Sequence, residues 1–266
     1  MTGPTGPTEP TASPWPAVPA GANGSDSRVR VALLLPDLLG TYGDRGNAVV
    51  LCQRLRWRGV DAEVVEVTGT NPVPTHCDLY VLGGGEDSAQ QLAVRRLRED
   101  GGLARAAARG AVVFAVCAGL QILGEHFTGT DGKQTAGLGL LDLRSTPLET
   151  RAVGELVAQP EDRRLKATLT GFENHRGRTE LGLDARPLAT VEHGVGNGTP
   201  DRAEGVVQGH LLGTYMHGPA LARNPELADL LLGWAVGTPL VPLELAEVDT
   251  LRSIRLAAAG AGRPPS

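Results

Sequence analysis

Ala111-Val112-Val113-Phe114-Ala115-Val116-Cys117-Ala118-Gly119-Leu120-Gln121 is an apolar run that breaks off at a cysteine. The first six residues are apolar without interruption, and Ala115, Ala118 and Gly119 keep the surroundings of Cys117 small. A helical pattern follows in Leu120-Gln121-Ile122-Leu123-Gly124-Glu125. The stretch predicts a buried parallel strand, a sharp turn and a helix. A nucleophile elbow has this form: the side chain sits on a strained turn, and small neighbours leave room for the bend. The following helix aims its N-terminal N–H groups at the sulfur, which favours the reactive thiolate. The alternative is an inert core cysteine, since free cysteines are often buried.

Working outward, the first half alternates strands with helices. Residues 29–36 predict a strand, 40–47 a polar loop bearing glycine, 48–58 a helix stopped by Gly59, and 61–67 a second strand. Residues 78–82 predict a third strand that ends in Gly83-Gly84-Gly85-Glu86-Asp87, and 88–108 predict one helix. Beyond Phe127 glycines become frequent and apolar runs short. Strands are expected at 137–143, 153–158, 168–172, 188–191 and 205–207, some of them antiparallel. Residues 211–217 read as a strand ending in His217, 225–236 as a helix, and 239 onward as a last helical pattern that frays from 260. The expected fold is α/β, an open and mostly parallel sheet flanked by helices, with antiparallel strands in the second half. The expected organisation is a disordered, Pro/Gly/Thr-rich tail over 1–28, a single domain over 29–240 and a helical extension over 241–266. Within the tail, Trp15 reads as a solvated residue rather than a docking one.

The 266 residues are 41% hydrophobic and 21% charged, with a net charge of −5, which excludes a basic nucleic-acid surface. Cys52, Cys77 and Cys117 form no CxxC pair, so neither a zinc site nor a disulfide framework is expected, and a reducing cytoplasm fits. Gly132-Lys133 lacks the other glycine and the hydroxyl residue of a phosphate-binding loop, so no ATP site is read in the chain.

Sites in open α/β sheets gather at the carboxyl ends of strands. Three such ends carry chemistry: the glycines at 83–85, Cys117 and His217. Cys117 and His217 are far apart in sequence, so only the fold can join them. A histidine beside the thiol would take its proton and return it to an amine or ammonia. The backbone N–H groups of Gly84, Gly85 and Ala118 would hold an oxyanion. Such a constellation performs acyl transfer through a thioester. For His217 the alternative is a buried histidine bonded to a carbonyl; for the glycines, an ordinary turn.

Ala-Val-Cys-Ala-Gly-Leu-Gln at 115–121, Gly-Gly-Gly-Glu-Asp at 83–87 and Tyr-Met-His-Gly-Pro at 215–219 resemble class I, triad-type glutamine amidotransferases. Phe-Glu-Asn-His-Arg-Gly-Arg-Thr at 172–179 is similar to the cobyric acid synthase-like branch. Tyr-Gly-Asp-Arg-Gly-Asn at 42–47 resembles the amidotransferase subunits of two-chain lipid II isoglutaminyl synthases. The resemblance covers about 29–236 and implies a flavodoxin-like fold, Cys117 as nucleophile and His217 as base and then acid. It implies Arg151, Gln121 and His175 as glutamine-binding residues. Arg151 suits a carboxylate because guanidinium binds it bidentately. The implied partner is an ATP-dependent Mur ligase-like subunit in a heterodimer. That subunit would hold the ATP and magnesium, contact lipid II and use the ammonia to convert its D-glutamate to D-isoglutamine. No cofactor or metal is then expected in this chain, and the expected location is the cytoplasm, reaching the membrane's inner face through the complex.

The sequence departs from the family pattern twice. Ala115 replaces the elbow's leading glycine, and Pro219 stands where the family has a glutamate two residues after the histidine. Glu226 lies too far along to stand in for it. Either the dyad works alone or the partner lends a carboxylate. Three other readings stay open: an amidotransferase of another pathway, a DJ-1-like cysteine hydrolase, and a decayed binding subunit.

Overall fold

The computed structural model describes residues 28–261. The tail expected at the N-terminus, with Trp15, lies outside these residues except for Arg28, as does the chain beyond 261. The first half runs β1 (Val29–Leu34), α1 (Arg45–Arg56), β2 (Ala62–Val67), β3 (Leu79–Leu82), α2 (Asp87–Asp100), α3 (Gly102–Ala108), β4 (Val112–Val116) and α4 (Ala118–Leu123). The second half runs β5 (His126–Thr128), β6 (Gln134–Ala136), β7 (Leu143–Pro160), β8 (Leu169–Leu181), β9 (Ala189–His193), β10 (Ala203–Glu204), β11 (Val206–Gln208), β12 (Leu211–Thr214), α5 (Ala220–Arg223), α6 (Pro225–Val236) and α7 (Ala246–Ala261).

The main sheet has the order β11-β12-β4-β3-β1-β2. All its pairings are parallel except β11 with β12. Every residue of β3 and β4 is buried, as expected for central strands covered by helices on both faces. The carboxyl ends of β1, β3, β4 and β12 therefore lie side by side, and the polar loops that follow them converge. Across the covering layer Arg54 of α1 makes a bidentate, mostly buried pair with Asp229 of α6 at 2.8 and 2.6 Å.

Strands β5 to β10 form a sheet of their own, β10-β9-β7-β5-β6 with β8 paired to β7, antiparallel except for β5 with β7. Here the structure corrects the sequence reading. The runs at 153–158 and 168–172 are parts of one long hairpin, β7 and β8, and not isolated short strands. Residues 137–141 are not a strand; they fold back on α4, where the Leu138 and Leu140 N–H groups donate to the Ile122 and Leu123 carbonyls. The helix expected over 88–108 is two. Gly101, at φ 68°, ends α2, and the Asp100 carboxylate accepts from the Gly102 N–H to start α3. No helix among the described residues is long and apolar enough to cross a membrane.

Candidate active site

Cys117 follows the last residue of β4 and precedes α4. Its backbone sits at φ 53°, ψ −107°, a strained conformation for a residue with a side chain. Its N–H donates to the Thr214 carbonyl of β12 at 2.8 Å, so the turn is fixed by the neighbouring strand. Cys117 is buried but lines an open pocket. The other two cysteines differ: Cys52 and Cys77 lie in the core, and burial pushes both thiols up, Cys52 to about 11.

His217 lies three residues beyond β12. Its N–H donates to the Phe172 carbonyl at 2.9 Å and its carbonyl accepts from Phe172, so β8 of the second sheet holds it against the end of the first. Upstream, the buried Glu204 carboxylate accepts from the Tyr215 N–H and the Thr214 hydroxyl and steadies the same segment. His217 Nδ1 stands 3.1 and 3.3 Å from the two carboxylate oxygens of Asp44. Nε2 is buried with no hydrogen-bond partner at ordinary geometry. Cys117 acts on this ring. Burial disfavours the imidazolium, but hydrogen bonding and charge from Asp44 and Cys117 outweigh it and push His217 up to about 10.

Asp44 is the carboxylate that sequence reasoning missed. It is fully buried and stands at the N-cap of α1, yet its side chain makes no capping bond to that helix. It accepts instead from His217 and, at 2.8 Å, from the Gly84 N–H. Pro219, which displaces the family glutamate, helps to seat it. A Cβ on Gly46 would stand 2.3 Å from the Pro219 ring, so the absence of a side chain lets the two turns interlock. The Leu221 N–H then donates to Asn47 at 2.9 Å. Glu226 is elsewhere, accepting from the Lys166 and Ala167 N–H groups.

Residues 30–225 match the model of the CobB/CobQ-like glutamine amidotransferase domain. The chain belongs to the CobB/CobQ-like glutamine amidotransferase family. It is 36% identical over 223 residues to the GatD subunit of the glutamine-hydrolysing lipid II isoglutaminyl synthase of Staphylococcus aureus (strain N315), covering 83% of this chain and 90% of that one. The corresponding GatD subunit of Streptococcus pneumoniae (strain ATCC BAA-255 / R6) is 34% identical over 214 residues, 79% and 81% of the two chains. A crystal structure of a glutamine amidotransferase superposes with a TM-score of 0.54 at 20% identity over 77% of this chain and 98% of that one, which shows the fold. Membership sets the DJ-1-like reading aside.

The amidotransferase pocket has a volume of about 470 Å3 and is lined by Tyr42, Gly85, Cys117, Ala118, Gln121, Arg151 and His175, among others. The three sequence-predicted oxyanion donors separate here. The Gly84 N–H is committed to Asp44, so it is not available to a ligand. Gly85 and Ala118 both face the pocket, and no acceptor takes their N–H groups among the described residues. Gly84 serves by its missing side chain: a Cβ there would stand 2.8 Å from His217 Cε1 and 3.4 Å from the Cys117 Cβ.

The predicted glutamine-binding residues ring the same cavity. Arg151 lies in the irregular stretch of β7 between Pro147 and Ala152, where pairing with β8 slips. Its Nε donates to Asn174 at 2.7 Å and its Nη2 to the Tyr42 hydroxyl at 3.2 Å. The Gln121 amide is pinned, accepting from Gln90 at 2.7 Å and donating to Tyr215 at 3.0 Å. His175 stacks on Tyr215 at 3.9 Å with Nδ1 3.0 Å from the Gly177 carbonyl. Its Nε2, 3.6 Å from Glu173, has no hydrogen-bond partner.

Proposed function

We propose that this chain is the glutaminase subunit of a two-chain lipid II isoglutaminyl synthase. The observation that carries the reading is the convergence of Cys117, His217 and Asp44 beside an open pocket, in a chain related along most of its length to GatD subunits. An ordered site of this kind weighs against a decayed binding subunit.

In this reading the Arg151 guanidinium holds the α-carboxylate of glutamine, and its side-chain amide lies over Cys117. His217 takes the thiol proton at Nε2, while Asp44 keeps the Nδ1 proton in place and offsets the imidazolium charge. The sulfur attacks the amide carbon, and the developing oxyanion lies between the Gly85 and Ala118 N–H groups. As the C–N bond breaks, His217 gives its proton to the departing ammonia and a glutamyl thioester remains. Water, deprotonated by His217, cleaves the thioester; the proton returns to sulfur and glutamate leaves. The carboxylate is supplied in cis by Asp44, and the partner is not needed for it. The partner is a Mur ligase-like subunit that holds ATP and magnesium and joins the ammonia to the D-glutamate of lipid II. The complex works in the cytoplasm at the inner membrane face.

The test supplies the reconstituted pair with ATP, lipid II and glutamine isotopically labelled in its amide nitrogen. Label in the stem peptide's D-isoglutamine is expected. Glutamate release with no label in lipid II would reassign the ammonia to another acceptor.

A further inference from the structure

Tyr42 is half-buried at the pocket mouth and belongs to neither the Cys117–His217–Asp44 set nor the oxyanion donors. Its ring lies 4.6 Å from the His217 imidazole, tilted by 53°. Its hydroxyl accepts from Arg151 Nη2 at 3.2 Å. One side chain therefore spans from the catalytic histidine on the first sheet to the arginine on the second. Arg151 lacks regular ladder support, because β7 and β8 lose register around it. The Tyr42 hydroxyl and the Asn174 side-chain oxygen Oδ1 hold its guanidinium. They use the Nε–H and one Nη2–H, which leaves the Nη1 donors and the second Nη2 donor for a bidentate carboxylate.

We infer that Tyr42 is a positioning and specificity residue for glutamine. Its hydroxyl sets the Arg151 fork toward the substrate α-carboxylate, and its ring shields His217 from bulk water. This rests on the glutaminase reading above and adds a selection rule: an acyl donor lacking the α-carboxylate gains nothing from the Tyr42 hydroxyl. It also ties occupancy to chemistry, since the residue that orients the substrate's far end touches the base at its reacting end.

The test uses the full chain with its partner and compares wild type with Tyr42→Phe. Removing one hydrogen bond to a charged group is expected to raise KM for glutamine about 5- to 20-fold, with kcat falling less than about 3-fold. Inactivation by 6-diazo-5-oxo-norleucine, which carries the α-carboxylate, should slow in parallel, while alkylation of Cys117 by iodoacetamide, which lacks it, should not. In an Arg151→Ala background Tyr42→Phe should add nothing further. An unchanged KM in Tyr42→Phe, equal slowing toward both electrophiles, or a full additional effect without Arg151 would each overturn the inference while leaving the glutaminase intact. A wild-type complex that neither releases glutamate nor is labelled selectively at Cys117 would overturn the glutaminase reading itself.

Discussion

Replacing Asp44 with asparagine removes the buried negative charge while keeping nearly the same shape. The Asp44 carboxylate accepts from two donors, the Gly84 N–H at 2.8 Å and His217 Nδ1 at 3.1 Å. Both bonds converge on one carboxylate oxygen, and the other oxygen stands 3.3 Å from Nδ1. An asparagine that keeps its oxygen in the shared place sets its NH2 against the Nδ1–H, donor to donor, and no longer offsets the imidazolium charge. If the amide turns over, its NH2 faces both the Gly84 N–H and Nδ1, and His217 is driven to the tautomer with its proton on Nε2, where it cannot accept from Cys117. Proton transfer by a correctly positioned base contributes about 10²- to 10⁴-fold to the rate, about 3–5 kcal/mol of barrier, and the variant loses that positioning. At about 1.4 kcal/mol per decade this predicts a fall in kcat of about 10²- to 10⁴-fold, with KM for glutamine little changed because Arg151 is untouched. The assay is glutamate release by the chain with its partner, alongside a thermal melt showing that Asp44→Asn is folded. A folded variant that keeps kcat within about 3-fold of wild type would refute the reasoning and return the third carboxylate to the partner.

Three further outcomes follow from the same geometry. Gly84→Ala places a Cβ 2.8 Å from His217 Cε1, so the imidazole must move; a displacement of this order predicts about a 10²-fold loss of glutamate release in a protein whose melting point changes little. Under native conditions a thiol reagent should modify Cys117 alone, because Cys52 and Cys77 are buried and their thiols are pushed up; counting modified peptides by mass spectrometry checks this. His217 is raised from its ordinary value near 6.5 to about 10, so its charged pairing stabilises the fold fully below about pH 6.5 and is lost as pH rises through about 10. The melting-point gap between wild type and Asp44→Asn should therefore narrow steadily over that interval, and a gap that widened with pH would have the wrong sign.

The elbow was legible because its signal is local. A buried strand, a cysteine and small neighbours are contiguous, and Cys117 duly carries the positive φ. The main sheet was legible for the same reason, since its strands are short apolar runs separated by helices. The second sheet was less so. Pro147, Gly154, Gly171 and Gly177 interrupt the alternation within β7 and β8, and one long hairpin reads as pieces. The third carboxylate was hidden because a search two residues after the histidine meets Pro219, while Asp44 lies 173 residues upstream. A topological signal was nevertheless present. The loop after β1 must reach the sheet edge where Cys117 and the 83–85 glycines gather, and Asp44 is the acidic residue of its Tyr-Gly-Asp-Arg-Gly-Asn run. Gly84 shows the converse limit: a glycine in the right place suggested an oxyanion donor, whereas its N–H anchors Asp44 and its missing side chain makes room for His217.

The central claim is that this chain hydrolyses glutamine through Cys117. The most direct measurement is glutamate release by the purified wild-type chain and by Cys117→Ala, each with and without the Mur ligase-like partner. The account predicts release by wild type, increased by the partner, and none above background from Cys117→Ala. Equal release from the two, or none from wild type bound to its partner, would contradict it.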